Sequence, residues 1–235
     1  NIAEFLPPAC LCCSEASAVI ITGVGQSLLK YDISTGEFIS SFPDMESSDI
    51  SCFRLDDYYG RRVYVGCSSG RLLLLNFTTG VVLDSMMISS RAITCVENMT
   101  ESSCNLVYIG SSDGRITSLE ETSGKLAVRG CAEQLIGDNC GIEHICAVES
   151  LKVVVAASGG KYWGVWEATT FRRVLIMAEE SIISGLDILG TSCDKEKVRG
   201  FPLQNNHLLT LAVCTGTVFR IYSMDTFHAK ITVTH

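Results

Sequence analysis

One stretch limits what this chain can become. Residues 62–83 read RVYVGCSSGRLLLLNFTTGVVL, and residues 105–126 read NLVYIGSSDGRITSLEETSGKL. The second copy keeps the layout of the first at a shift of 44 residues: Gly66, Gly70 and Gly80 fall on Gly110, Gly114 and Gly124, and Tyr64 falls on Tyr108. Agreement over such a length marks an internal repeat, which fixes the architecture before any single residue does. In the first copy the apolar runs Val63–Val65 and Leu72–Leu75 are cut by Ser68-Ser69-Gly70, and Val81–Leu83 follows Thr78-Thr79-Gly80. Short apolar runs between Gly-containing turns read as strands of an antiparallel meander, with hairpin turns at Ser68–Gly70, Asp113-Gly114 and Thr215-Gly216.

The same unit can be followed along the whole chain. An aromatic or apolar residue, then a polar one, then a turn closes the third run of each unit, as in Tyr31-Asp32-Ile33-Ser34-Thr35-Gly36 and Trp166-Glu167-Ala168-Thr169-Thr170. The polar places are Asp32, Asn76, Glu120, Glu167 and Ser223, spaced by 44, 44, 47 and 56, the last interval widened by the polar loop Thr191–Asn206. Each unit offers four short strands, over residues 8–43, 50–86, 92–129, 142–177 and 182–235. Four strands at a period of roughly 40–45 residues is the sequence pattern of a β-propeller blade. No window repeats apolar residues at the helical period with cap signals, so little or no helix is expected.

Those residues carry a resemblance. Ser112-Asp113-Gly114, Tyr31-Asp32, Trp166-Glu167 and the Thr-Gly pairs at 35–36 and 79–80 resemble the WD-repeat propeller family across essentially the whole chain. No Gly-His pair precedes a blade and no Trp-Asp pair occurs, so that family's Asp-His-Ser/Thr-Trp hydrogen-bond network is not carried over. The resemblance implies an all-β propeller of four-stranded antiparallel blades, five of them visible here: they form part of a seven-bladed ring, or five blades close alone, or a partner fills the gap. It also implies a non-catalytic platform or adaptor subunit within a larger complex. Quinoprotein-like propellers share the Tyr-Val-Gly and Thr-Gly turns, and their precedent would be a small ligand or cofactor in a central channel. Seven blades would need about 300 residues at this period. The missing initiator Met likewise points to a piece of a longer chain.

Composition narrows the function classes. Net charge is −8 over 235 residues, against the basic face that phosphate backbones require, so no nucleic-acid partner is expected. No run of 18 apolar residues exists, so no membrane-spanning helix is expected either. The 12 Cys do not form the paired CxxC spacing of zinc sites, and Cys10, Cys12 and Cys13 have no second pair nearby. Cys52, Cys95, Cys146 and Cys214 sit in apolar runs, where free Cys behaves as a small buried hydrophobe. Cys52, Cys95 and Cys146 are expected at equivalent places on successive inner strands. Reduced core thiols imply a cytoplasmic or nuclear location, and the sequons Asn76-Phe-Thr78 and Asn98-Met-Thr100 weigh little against it.

No catalytic constellation, cofactor or metal site emerges. Gly23-Val-Gly25 opens no helix, and no Gly-x-Ser-x-Gly elbow occurs. The carboxylate pairs Asp56-Asp57 and Glu179-Glu180 read as solvated loop residues, and Lys161, Tyr162, Trp163 and Trp166 read as packing between blades. On the inner strands only Arg54, Glu143 and His144 offer chemistry for a channel ligand. For a protein or peptide partner the expected contacts lie on the face holding the strand-two to strand-three turns and the inter-blade connections. They are Glu46, Arg91, Asp113, Arg129, Glu133, Asp138 and Glu179, and this mixture of acids with a few Arg suits a partner segment bearing Lys or Arg. The opposite face carries Asp56–Arg61 and Thr191–Asn206.

Overall fold

The structure, a computed structural model, describes residues 10–14, 19–42, 46–56, 61–100, 104–132, 140–189, 210–216, 218–224 and 229–234. These form five four-stranded sheets, each with its strands side by side in chain order and antiparallel throughout. Sheet 1 holds β1 (Cys10–Ser14), β2 (Val19–Val24), β3 (Ser27–Asp32) and β4 (Phe38–Phe42). Sheet 2 holds β5 (Ile50–Leu55), β6 (Arg62–Cys67), β7 (Arg71–Asn76) and β8 (Val82–Met87). Sheet 3 holds β9 (Ile93–Thr100), β10 (Asn105–Ser111), β11 (Ile116–Thr122) and β12 (Lys125–Ala132). Sheet 4 holds β13 (Ile142–Val148), β14 (Val153–Ser158), β15 (Tyr162–Glu167) and β16 (Arg173–Ala178). Sheet 5 holds β17 (Ile183–Leu189), β18 (Thr210–Thr215), β19 (Val218–Ser223) and β20 (Ala229–Thr234). The only helical turn among the described residues is a 3-10 turn at Glu149–Leu151.

Burial explains the composition of each strand. The middle strands are covered on both faces by neighbouring sheets, so Val63–Cys67 and Leu72–Leu75 are apolar without alternation. The fourth strands are edges with one face in water, and β8 alternates accordingly. First strands pack in series, β1 on β5, β5 on β9, β9 on β13 and β13 on β17. Four apolar cores lie between consecutive sheets: Ile21 and Leu28 against Leu73 and Leu75, Tyr64 and Leu72 against Val107 and Ile109, Tyr108 and Ile116 against Val154 and Ala156, and Trp163 and Val165 against Leu211 and Val213. Trp163 and Trp166 fill the space between sheets, as their place in the repeat suggests.

The repeat is held by small devices that recur. Asp32 and Asn76 each cap their own turn, accepting from the backbone N–H of Ser34 and Thr35 and of Thr78 and Thr79 at 2.8 to 3.0 Å. Gly66 and Gly110 are glycines for want of space. A Cβ on Gly66 would lie 2.7 Å from Cys52 Sγ, and one on Gly110 would lie 2.6 Å from Cys95 Sγ. A bulge interrupts each of the first strands β5, β9, β13 and β17, and it places Ser51, Thr94, Glu143 and Ser184 at equivalent positions. The Ser51 hydroxyl donates to Ile93 O at 2.5 Å, and Thr94 donates likewise to Ile142 O, so two of these bulges tie one sheet to the next.

Strand pairing corrects the expected cysteine register. Cys52 and Cys95 stand opposite Gly66 and Gly110, but the equivalent residue opposite Ala157 is His144. Cys146 lies two residues further on, level with Arg54, Glu97 and Asp187. The bulge is common to all these strands, so the offset lies in the sequence of β13 itself, which carries its cysteine two residues later than β5 and β9 do. Cys52 is buried, whereas Cys95 and Cys146 are half-buried, and all three are free thiols.

Candidate interaction surface

The turns between second and third strands and the connections between sheets share one end of the array, which backbone hydrogen bonds knit together. Ile50 N donates to Gly25 O and Ile183 N to Gly160 O, both at 2.7 Å, and each bond joins one sheet's turn to the next sheet's first strand. Ser68 N to Asp49 O, Gly159 N to Gly141 O and Ser112 N to Ala92 O follow at 2.8 to 2.9 Å. With its backbone groups so engaged, this end is a rigid support for the side chains it exposes.

The residues expected to meet a partner are placed unequally. Glu46 reaches Arg71 at 3.5 Å and is partly covered. Arg91 is exposed, with its backbone N–H on the Ser89 hydroxyl at 3.0 Å. Asp113 is a turn former: it accepts from the hydroxyl of Ser111, from that of Ser89 at 3.0 Å and from the backbone N–H of Arg115 at 3.3 Å. Burial pushes its carboxyl up, but the Ser111 and Ser89 hydroxyls outweigh that and hold it below the ordinary carboxylate value. Arg129 lies within β12, which runs on to Ala132, and it pairs with Glu120 at 3.7 Å on the outer strand, away from the connections. Glu133 and Asp138 lie outside the described residues, as do Asp57 and the loop Thr191–Asn206.

Glu179 is a correction. It reads as solvated from the sequence, yet it is 5% exposed. Its carboxylate accepts from Trp163 Nε1 at 3.0 Å, from the Tyr222 hydroxyl at 2.6 Å and from the Arg220 guanidinium. It therefore closes the junction of sheets 4 and 5 and offers nothing to a rim contact. Its neighbour Glu180 stays in solvent and shares Arg220 at 3.2 Å. Among the described residues, the exposed charges at this end include Asp49, Arg91, Arg115, Glu143, Lys161 and Glu180, beside the apolar Ile182 at 61% exposed.

Asp56 is the second correction, being fully buried. At the opposite end it shares the Asn105 amide with Glu121, at 3.5 and 3.1 Å, and Glu121 also receives Arg62 and, at 2.6 Å, the backbone N–H of Gly124. The Tyr64 hydroxyl lies in this cluster, pushed well up by burial and by the charges of Glu121 and Asp56. Lys30 is a further buried charge with no sequence signal. Its ammonium donates to Phe77 O and lies 4.2 and 4.1 Å from the ring centres of Phe42 and Phe77, and desolvation lowers its pKa.

The first strands carry more charge than the three expected residues. Arg54 pairs with Glu97 at 3.1 Å, and Asp187 stands at the equivalent position of β17. Glu143 is exposed, and His144 is half-buried with its Nε2 atom buried and unpartnered among the described residues. Neither Glu97 nor Asp187 is visible as part of a set until the bulges fix the register. Among the described residues no group of three or more His, Cys, Asp or Glu is arranged to hold a metal ion, and no helix is long and apolar enough to cross a membrane. Asn98, the acceptor of one sequon, is buried within β9.

No family model matches the chain, and no curated protein matches it at a significant level.

Proposed function

We propose that the chain is a β-propeller of the WD-repeat kind that serves as a non-catalytic scaffold, holding a protein or peptide partner on its turn end. The observation that supports this most is the hydrogen-bonded backbone of that end, which presents charged side chains such as Asp49, Arg91 and Glu143 to solvent. The buried carboxylates Asp56, Glu121 and Glu179 are occupied with internal hydrogen bonds, so they are poorly suited to acid–base chemistry. The acids left exposed at the turn end, Asp49, Glu143 and Glu180, together with the net charge of −8, favour a partner segment bearing Lys or Arg. The eight free thiols among the described residues favour a cytoplasmic or nuclear setting.

Charge reversal separates the two ends. Asp49→Lys, Glu143→Lys and Glu180→Lys should together abolish recovery of partners, while Glu37→Lys with Glu149→Lys at the opposite end should leave it intact. Equal recovery from both sets would overturn the platform reading.

A second reading draws on the first strands, where Arg54, Glu97, Cys146 and Asp187 stand at one level. A small charged ligand there would raise thermal stability, by about 2.7 kcal/mol at a hundredfold excess over its dissociation constant. A thermal shift removed by Glu97→Gln, with recovery of protein partners unchanged by turn-end reversals, would favour this reading over the platform.

A further inference from the structure

Where one sheet departs from the residue its counterparts carry, the departure is not something this repeat needs in order to fold. Three departures meet at the turn end of sheets 4 and 5. At the bulge of the first strand, Ser51 and Thr94 donate their hydroxyls to Ile93 O and Ile142 O of the following sheet. Glu143 stands at that place in sheet 4, and a carboxylate has no proton to offer Ile183 O, the equivalent carbonyl. In the turn after the second strand, Gly159 replaces Ser68 and Ser112, all three being held by the same backbone bond to the connection before their own sheet. A Cβ on Gly159 would overlap Glu143 Oε1, so the glycine makes room for the carboxylate. Ahead of the buried isoleucine that opens each first strand, Ile182 replaces Asp49, Ala92 and Gly141.

The three places adjoin. Ile183 N donates to Gly160 O at 2.7 Å, which sets Ile182 beside the glycine turn that the Glu143 carboxylate overlies. Glu143 is exposed and has no hydrogen bond or ion pair among the described residues. Ile182 is the most exposed large apolar side chain among them. Single exposed apolar residues are ordinary. What sets Ile182 apart is its place, where its counterparts are small or charged, and its neighbour, an acid without a cation.

We propose that this corner seats an extended segment of a protein partner, with a Lys or Arg on Glu143 and an aliphatic side chain on Ile182. Charge chooses the occupant. Glu143 has no cation of its own, and with 18 Lys and Arg against 26 Asp and Glu this chain is a poor source of a basic segment. Side chains of an extended segment alternate between its faces, so the two contacts fall on partner residues i and i+2. The site rests on the platform reading and narrows it to the junction of sheets 4 and 5.

Peptides selected from a displayed random library against the unmodified chain, then measured by fluorescence anisotropy, test it. The selected peptides should carry Lys or Arg two residues from Ile, Leu, Val or Met. Two variants return the site to the repeat: Glu143→Thr restores the bulge hydroxyl, and Ile182→Ala supplies the residue that precedes sheet 3. Each should weaken the peptides by at least about tenfold, the scale of losing a central interface contact. Each should also unfold at or above the thermal midpoint of the unmodified chain. Glu149→Gln, at the other end, should bind as the unmodified chain does. A lowered midpoint in either variant would show that the departures serve the fold and would overturn the proposal. So would selected peptides that lack the basic residue, or that bind both variants undiminished. If such peptides are instead lost on Asp49→Lys, the contact lies elsewhere on the turn end, and the platform reading stands without this site. A library that yields no binder overturns the site and leaves the platform to the charge-reversal test.

Discussion

Trp163 donates its indole N–H to Glu179 across 3.0 Å, from the third strand of sheet 4 to the connection that enters sheet 5. The same carboxylate takes the Tyr222 hydroxyl at 2.6 Å and the Arg220 guanidinium from sheet 5, and the rings of Trp163 and Tyr222 pack 5.1 Å apart beneath it. One acid thus satisfies three donors at the edge of an apolar junction. Removing it leaves the Trp163 and Tyr222 donors unpaired where water has little access, and leaves Arg220 with Glu180 alone.

Glu179→Ala should therefore lower unfolding stability by about 3 kcal/mol, the scale of breaking a buried pair from one side. Glu180→Ala removes an exposed partner of the same Arg220 and should change stability by no more than about 0.5 kcal/mol. Urea unfolding of the two variants checks the contrast. Equal effects would show that Glu179 is a surface charge after all.

The two acids are adjacent in sequence, and nothing local distinguishes them. Glu179 is recruited by residues 16, 41 and 43 positions away, and long-range pairing of this kind leaves no trace in composition or spacing. Asp56 is hidden for the same reason, since Asn105 lies 49 positions on. What sequence does carry is local: the glycine-closed turns, the unbroken apolar runs of the doubly covered strands, and the Asp32 and Asn76 turn caps. The register of the first strands falls between these levels. No turn signal marks which residue of Ile142–Val148 is level with Cys52 and Cys95, so Cys146 reads as their partner when His144 holds that place.

Thiol reactivity should divide the described cysteines by burial. Burial pushes the Cys67 thiol up to about 11, and it pushes Cys95 and Cys146 to about 12, while Cys131 is exposed. Only the thiolate reacts, so native protein at about pH 8 should label Cys131 first and leave Cys67, Cys95 and Cys146 slow until denaturant is added. Mass spectrometry of labelled peptides reads the order. Native labelling of Cys95 as fast as Cys131 would contradict its place against Gly110.

His144 should make stability fall on acidification. Burial holds its imidazole below the ordinary value of 6.5, with Glu143 pulling less strongly the other way. As pH drops through 6.5 the unfolded chain takes up a proton that the folded chain resists, so protonation favours unfolding. The contribution is complete above 6.5 and is lost as pH falls through the lower folded value. The difference between urea midpoints at about pH 7.5 and about pH 5.5 should shrink in His144→Gln. An unchanged difference would assign the slope to other groups.

Phe171 offers a test in which two costs oppose. Its backbone sits at φ 54, in the left-handed region, at the turn place held by Gly36 and Gly80 in sheets 1 and 2. A residue with a Cβ is strained there by about 1–2 kcal/mol. The ring offsets this by stacking on Tyr108 at 6.1 Å and on Trp166 at 6.4 Å, across the junction of sheets 3 and 4. Phe171→Ala keeps the strain and loses the stacking; Phe171→Gly loses both. Gly is ordinarily the worse residue in a sheet by about 0.5–1 kcal/mol, because it leaves the unfolded chain freer. At this position the order should invert, with Phe171→Gly the more stable of the two variants by roughly 1 kcal/mol and both below the unsubstituted protein. Chemical denaturation of the pair measures it directly. Should Phe171→Ala prove the more stable, the left-handed turn at this place in sheet 4 would be disproved.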